Sequence, residues 1–170
     1  MVLAFIISDL NCQILFSSVF DFNQISLEKP VLFNIVRNVK SEFDFNYASF
    51  DTSYLDEINN SSQDFETKGI VNVKINNSYQ PVIYQSYYGC FYILLCNFSD
   101  NRLLGYRTLS VIIQALRDII PRTTNYTSQF IFREDAVSMV VNTFIPSGHM
   151  LFLNDQAVQQ KYKDIQKQLR

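Results

Sequence analysis

The chain has 170 residues, a formal net charge of −2, 48% hydrophobic and 15% aromatic residues, and only 18% charged residues. This balance excludes a disordered chain, because apolar burial is ample to offset the entropy of ordering, and the length fits one domain, residues 1–170. No run of five basic residues exists to track a nucleic-acid backbone, and no apolar run is long enough to cross a membrane as a helix.

Residues 2–8 and 12–20 read as two strands joined by a turn at Asp9-Leu-Asn11. The apolar start is short, is interrupted by Asp9 and lacks the basic flank of a secretory signal. Without such a signal, the Asn97-Phe-Ser and Asn125-Tyr-Thr matches to the glycosylation pattern read as chance. Cys12, Cys90 and Cys96 lie in apolar runs and read as buried free thiols of a reducing cytosol.

A helix follows, because Leu32, Ile35, Val36, Val39 and Phe43 recur at the spacing of one helical face. Pro30 suits its first turn and Ser26 is a nearby cap candidate. Periodicity then fades, and residues 44–68, acidic and rich in Asn and Ser, read as a long mobile surface loop. Residues 69–75, 82–88 and 89–98 read as three further strands. The nearly continuous apolar run from Cys90 to Cys96 marks a central strand covered on both faces.

Ser99 and Asp100 are expected to cap a helix ending at Ile120, just before Pro121. Its main stripe is Leu109, Ile112, Ile113, Leu116 and Ile120, widened by Leu104, Val111 and Ala115. A helix so broadly apolar needs cover on two sides, from the sheet and from a further helix or a partner. After a polar link, residues 133–144 read as a helix stopped by Pro146-Ser-Gly148. Asn154 or Asp155 then caps a last helix through Val158, Tyr162, Ile165 and Leu169. The order β-β-α-β-β-β-α-α-α implies an α/β (α+β) domain, with helices packed on one mixed five-stranded sheet.

Residues that could carry chemistry are few. His149 stands alone, with nothing near it in sequence to complete a metal site. Apolar surroundings disfavour a thiolate at any of the three cysteines, which argues against a Cys–His pair. The four glycines form no phosphate-binding loop. Glu134 and Asp135 sit at a helix start, where negative charge suits the helix dipole. Tyr79, Tyr84, Tyr87, Tyr88 and Tyr92 cluster on strands, but the absence of basic neighbours favours packing or a protein interface over base stacking. The expectation is therefore no enzyme, no cofactor and no metal.

Two stretches are more specific. Met1-Val-Leu-Ala-Phe-Ile-Ile7 with Ile14-Leu-Phe-Ser-Ser-Val-Phe20 resembles the first hairpin of longin-type domains. Phe144-Ile-Pro-Ser-Gly-His-Met-Leu-Phe-Leu-Asn-Asp-Gln-Ala-Val158 resembles the C-terminal signature of the sigma subunit of the fifth adaptor-protein complex, with Met150 where the family has Leu. The resemblance implies a longin-like fold with extra C-terminal helices. It also implies a place as small subunit of a heterotetrameric vesicle-coat adaptor. The implied partners are the large zeta subunit, the beta and mu subunits, and spatacsin and spastizin. The implied setting is cytoplasmic, peripheral on late endosome and lysosome membranes through the complex, serving clathrin-independent retrieval to the Golgi. No residue pattern carries over a dileucine-signal pocket. Low charge and the wide helical stripe point to a covered surface, for which Leu104, Val111, Leu151, Phe152, Leu153, Asn154 and Asp155 are the candidates. A longin-like subunit of a tether or exchange factor is the alternative.

Overall fold

Turn chemistry sets the two hairpins from which the sheet grows. In a computed structural model, which describes residues 1–20, 27–48, 67–120 and 126–169, β1 (Val2–Asp9) pairs with β2 (Ile14–Val19). Asp9 organises the turn between them, accepting from the backbone N–H of Asn11 at 2.9 Å and of Gln13 at 2.7 Å. β3 (Lys68–Ile75), β4 (Ser78–Tyr87) and β5 (Cys90–Cys96) follow as a meander. Asn76 and Asn77 both take positive φ, as do Tyr88 and Gly89, which gives each two-residue turn the twist its strands need.

β4 starts four residues before Val82, where the sequence placed it, and so includes Pro81. Pro81 is tolerated because it lies opposite Asn72 at a pair that exchanges no bonds with β3, and beyond the last β4–β5 pair at Val82↔Leu95.

The sheet order is β2-β1-β5-β4-β3, and every pairing is antiparallel. The mixed sheet expected from the element order is thereby corrected. β2 and β3 do run the same way, as a strand–helix–strand crossover requires. They lie at opposite edges, so no parallel pair forms.

The crossover helix is α1 (Lys29–Ala48). The carbonyl of Glu28 opens it, accepting from Val31 and Leu32, and Pro30 sits in its first turn. Residues 44–48, expected to begin the loop, instead form its last turn. Lys40 pairs with Asp44 one turn on, Asn46 donates to Glu42 at 3.3 Å, and Phe43 packs edge-on against Phe91 at 5.1 Å. Residues 49–66 of the expected loop, and Ser26, lie outside the described residues.

The two faces of the sheet divide the core. Phe91, Ile93 and Leu95 of β5 meet Leu32, Ile35, Val36 and Val39 of α1. Cys90, Tyr92, Leu94 and Cys96 point the other way, into the layer of C-terminal helices. A register shift between Val2 and Ala4 lets Leu3 and Ala4 both face α1.

That layer holds α2 (Arg102–Ile119), α3 (Tyr126–Phe132), α4 (Glu134–Phe144) and α5 (Asp155–Gln168), with a short 3₁₀ turn, Pro146–Gly148, before the last. The sequence pointed to three helices here. α3 is the fourth, too short for a stripe, and it is anchored through buried Phe130, whose ring meets Tyr92 at 6.1 Å. α2 packs on β4 and β5 from one side and against α4 and α5 from the other.

Candidate partner interface

The candidate surface lies where the start of α2 meets the extended stretch of residues 149–154. Asn101, not Ser99 or Asp100, caps α2, its side chain accepting from Leu103 N–H at 3.0 Å and Leu104 N–H at 3.2 Å. Asp100 is used elsewhere. It accepts from Asn97 N–H at 2.8 Å and pairs with the Met1 ammonium. Of the two residues expected to cap α5, it is Asn154 that does so, accepting from Ala157 N–H at 2.8 Å.

Gly105 lets α2 approach the sheet closely: a Cβ there would stand 2.4 Å from Ile83 Cδ1 and 3.8 Å from Met150 Sδ. The extended stretch therefore runs beside the first turns of α2. It is pinned at its far end by Arg107, which donates to Asp155 at 3.0 Å. At its near end, Gly148 takes a φ of +81° with its Cα against Met1 and the carbonyl of Val2, where a Cβ would come within 2.7 Å of that oxygen.

The expected residues separate into inward and outward groups. Leu104 is buried in the chain's own core. Val111 is half-buried beneath α5, and its carbonyl accepts from the Tyr162 hydroxyl at 2.9 Å. Leu151 and Leu153 are half-buried and close a narrow cleft with Arg107, Thr108, Val111, Phe144 and Val158. Phe152, on the alternate side of the extended stretch, is 83% exposed. Asn154 and Asp155 are exposed.

Sequence reasoning missed two outward residues. Leu103 is 80% exposed on the turn where Leu104 is buried, and Phe98 is 70% exposed in the β5–α2 connection. Stripe spacing does not separate Leu103 from Leu104, since five and six residues before Leu109 both fall well off its face. The broad apolar face of α2, by contrast, is covered by α4 and α5 of this chain, and its exposed large hydrophobic residue is Leu103 in the first turn. What remains outward is an aromatic and aliphatic set of the type that anchors protein interfaces.

The other described residues hold little reactive chemistry. Burial pushes the thiols of Cys90 and Cys96 up to about 12, aided by Asp9 and Asp100 respectively, so both stay protonated. Cys12 is half-buried and its thiol is raised by burial. His149 is exposed, its backbone N–H closing the 3₁₀ turn on Pro146. Tyr84, Tyr87 and Tyr92 are buried, Tyr88 is half-buried and Tyr79 is exposed, so the cluster packs the sheet rather than forming a stacking row. A cleft of about 380 Å³ is lined by Asp118, Ile119, Arg133, Asp135, Ala136, Gln166 and Leu169. Its Arg133 is engaged, donating to the Ile119 carbonyl at the end of α2 at 2.6 Å. Among the described residues no group of three His, Cys, Asp or Glu could hold a metal, and no helix is long and apolar enough to cross a membrane.

Comparison with known proteins gives the geometry a setting. The sequence model of the family described as "AP-5 complex subunit sigma-1" matches residues 1–166. No curated protein matches. Among solved structures, a chain of the "Homology model of the full-length AP-3 complex in a stretched open conformation" is similar over 99% of this chain and 94% of that chain, at 16% identity and a TM-score of 0.61. At that identity the likeness concerns the fold, and the fold is the longin-like one of adaptor small chains.

Proposed function

From a chain that belongs to the AP-5 complex subunit sigma-1 family, we propose a non-catalytic small subunit that stabilises the large zeta subunit and assembles with the beta and mu subunits. The whole chain acts as one such domain. Its setting is the cytoplasmic face of late endosomes and lysosomes, reached through the complex, with spatacsin and spastizin as further partners and clathrin-independent retrieval to the Golgi as the task. The observation that carries this reading is the extent of the family match, residues 1–166, which includes the hairpin, the crossover helix and the C-terminal helices together.

The docking surface follows from exposure. Phe98, Leu103 and Phe152 present apolar surface that the chain leaves in water, and rigid aromatic anchors backed by a packed cleft are what an obligate interface uses. Leu151 and Leu153 hold the backbone of Phe152 in place from within.

Co-expression of the tagged chain with zeta, beta and mu tests the reading. The unaltered chain is expected to recover all three. Leu103→Asp with Phe152→Asp is expected to cut recovery of zeta about tenfold or more, since two truncated anchors cost well over 1.4 kcal/mol. Full recovery by a folded double variant would remove this surface from the contact. Failure of the unaltered chain to recover zeta would remove the assignment itself.

A further inference from the structure

The two edges of the sheet are built differently. β2 has six residues, its pairing with β1 is interrupted by a bulge between Ile7 and Ser8, and α3 packs beside it. β3 has eight residues and pairs with β4 without interruption, from Lys68↔Gln85 to Ile75↔Ser78. It contains no proline, and α1 packs on one of its faces. Natural edges are blunted by bulges, prolines, cover or charged side chains, lysine above all, and among the described residues β3 has only the last of these, in Lys68 and Lys74.

The turn fixes which of its backbone groups are free. With Asn76 and Asn77 as a two-residue loop, Ile75 and Ser78 exchange the first pair of bonds. Val73, Val71 and Gly69 then also bond inward to β4, because bonding alternates along an antiparallel pair. The N–H and C=O groups of Lys68, Ile70, Asn72 and Lys74 point outward, and no described residue bonds them.

Charge selects what could bond there. Lys68 and Lys74 are exposed and are the only charged residues of β3. They sit on the face away from α1, since Val71, Val73 and Ile75 face the helix. A second copy pairing antiparallel about Val71 would set Lys68 opposite Lys74 at both ends, and like charges directly opposite are destabilising. A strand carrying carboxylates at the matching positions would place one opposite each lysine.

We propose that the β3 edge is a strand-addition site for an extended acidic segment of a partner polypeptide. The segment bonds the four outward residues, sets carboxylates six residues apart against Lys68 and Lys74, and lays alternate apolar side chains along the flank of α1. This site is independent of the Phe152 surface and of the adaptor assignment.

The test is amide hydrogen exchange on the full chain, titrated with a capped nine-residue peptide. The peptide has Glu at its second and eighth positions, Val at its odd interior positions and Thr elsewhere. Added peptide is expected to slow exchange at Lys68, Ile70, Asn72 and Lys74. A second peptide with Lys in place of Glu is expected to bind about tenfold more weakly, as two cross-strand pairs change sign. Asn72→Pro removes an outward N–H while sparing the bonds to β4, and it should abolish the protection. Lys68→Glu with Lys74→Glu, both on the surface, should reverse the preference between peptides. Unchanged exchange, equal protection by both peptides, or undiminished binding by the proline variant would overturn the proposal. So would protection that rises with protein concentration alone, which would give the edge to a second copy.

Discussion

Among the described residues, one face of the sheet carries a single helix and the other carries four. On the thin side α1 buries Leu32, Ile35, Val36 and Val39 and leaves Phe33 and Phe45 exposed. On the thick side α2 packs with the sheet beneath it and α4 and α5 above. The difference teaches where surplus apolar sequence goes. A helix with one stripe needs one neighbour. A helix with a widened stripe needs a second layer, and here the chain supplies most of that layer itself. Among the described residues, Phe98, Leu103, Ile131, Phe132 and Phe152 stay exposed around this layer.

Core truncations probe the contrast most strongly. Phe91 on the thin side packs against Phe43 and Tyr84, at 5.1 and 6.3 Å. Phe91→Ala is expected to cost about 3–5 kcal/mol in denaturant unfolding. Phe144 on the thick side meets Tyr162 at 5.7 Å, and Phe144→Ala should cost a similar amount. The informative reading is the slope of the unfolding curve. If the helical layer can detach from the sheet, Phe144→Ala will flatten the slope while Phe91→Ala will not; equal slopes mean that both sides unfold as one unit.

Alkaline pH should strain the thick side. Cys90, Cys96 and Tyr162 all belong to it, and burial pushes each up to about 12. The unfolded chain ionises these groups near their ordinary values of 9.0 for the thiols and 10.0 for the phenol, while the folded chain holds their protons. Their contribution is therefore full below about pH 9 and is lost progressively as pH rises toward about 12. Denaturant midpoints between these limits should fall, and Cys90→Ala with Cys96→Ala should make the fall shallower. An unchanged profile in that variant would break the link to the thiols.

Smaller effects are expected at the seams. Asn154→Ala removes the cap of α5 and should cost about 1 kcal/mol. Tyr162→Phe removes the bond to the Val111 carbonyl that ties α5 to α2, and about 1 kcal/mol is again expected from equilibrium unfolding. Phe152→Asp, at an exposed site, should alter the stability of the isolated chain by no more than about 0.5 kcal/mol. A larger loss there would mean that Phe152 serves this fold and not a partner.

Period and punctuation alone determined the strands, the stripe of α1, the stripe of α2 and the cap of α5, because these are local matters of side-chain spacing and backbone bonding. The likeness of the first hairpin and of residues 144–158 to adaptor sigma chains was equally visible in one dimension. Tertiary structure decided what local signals cannot carry. It turned residues 44–48 into helix, because Phe43 had Phe91 to pack on. It made a helix of residues 126–132, because Phe130 had Tyr92. It made the sheet wholly antiparallel, by placing β2 and β3 at opposite edges. It also chose Leu103 over Leu104 as the outward residue, since only the packing of α2 against the sheet and against α4 and α5 says which side of a widely apolar helix remains in water.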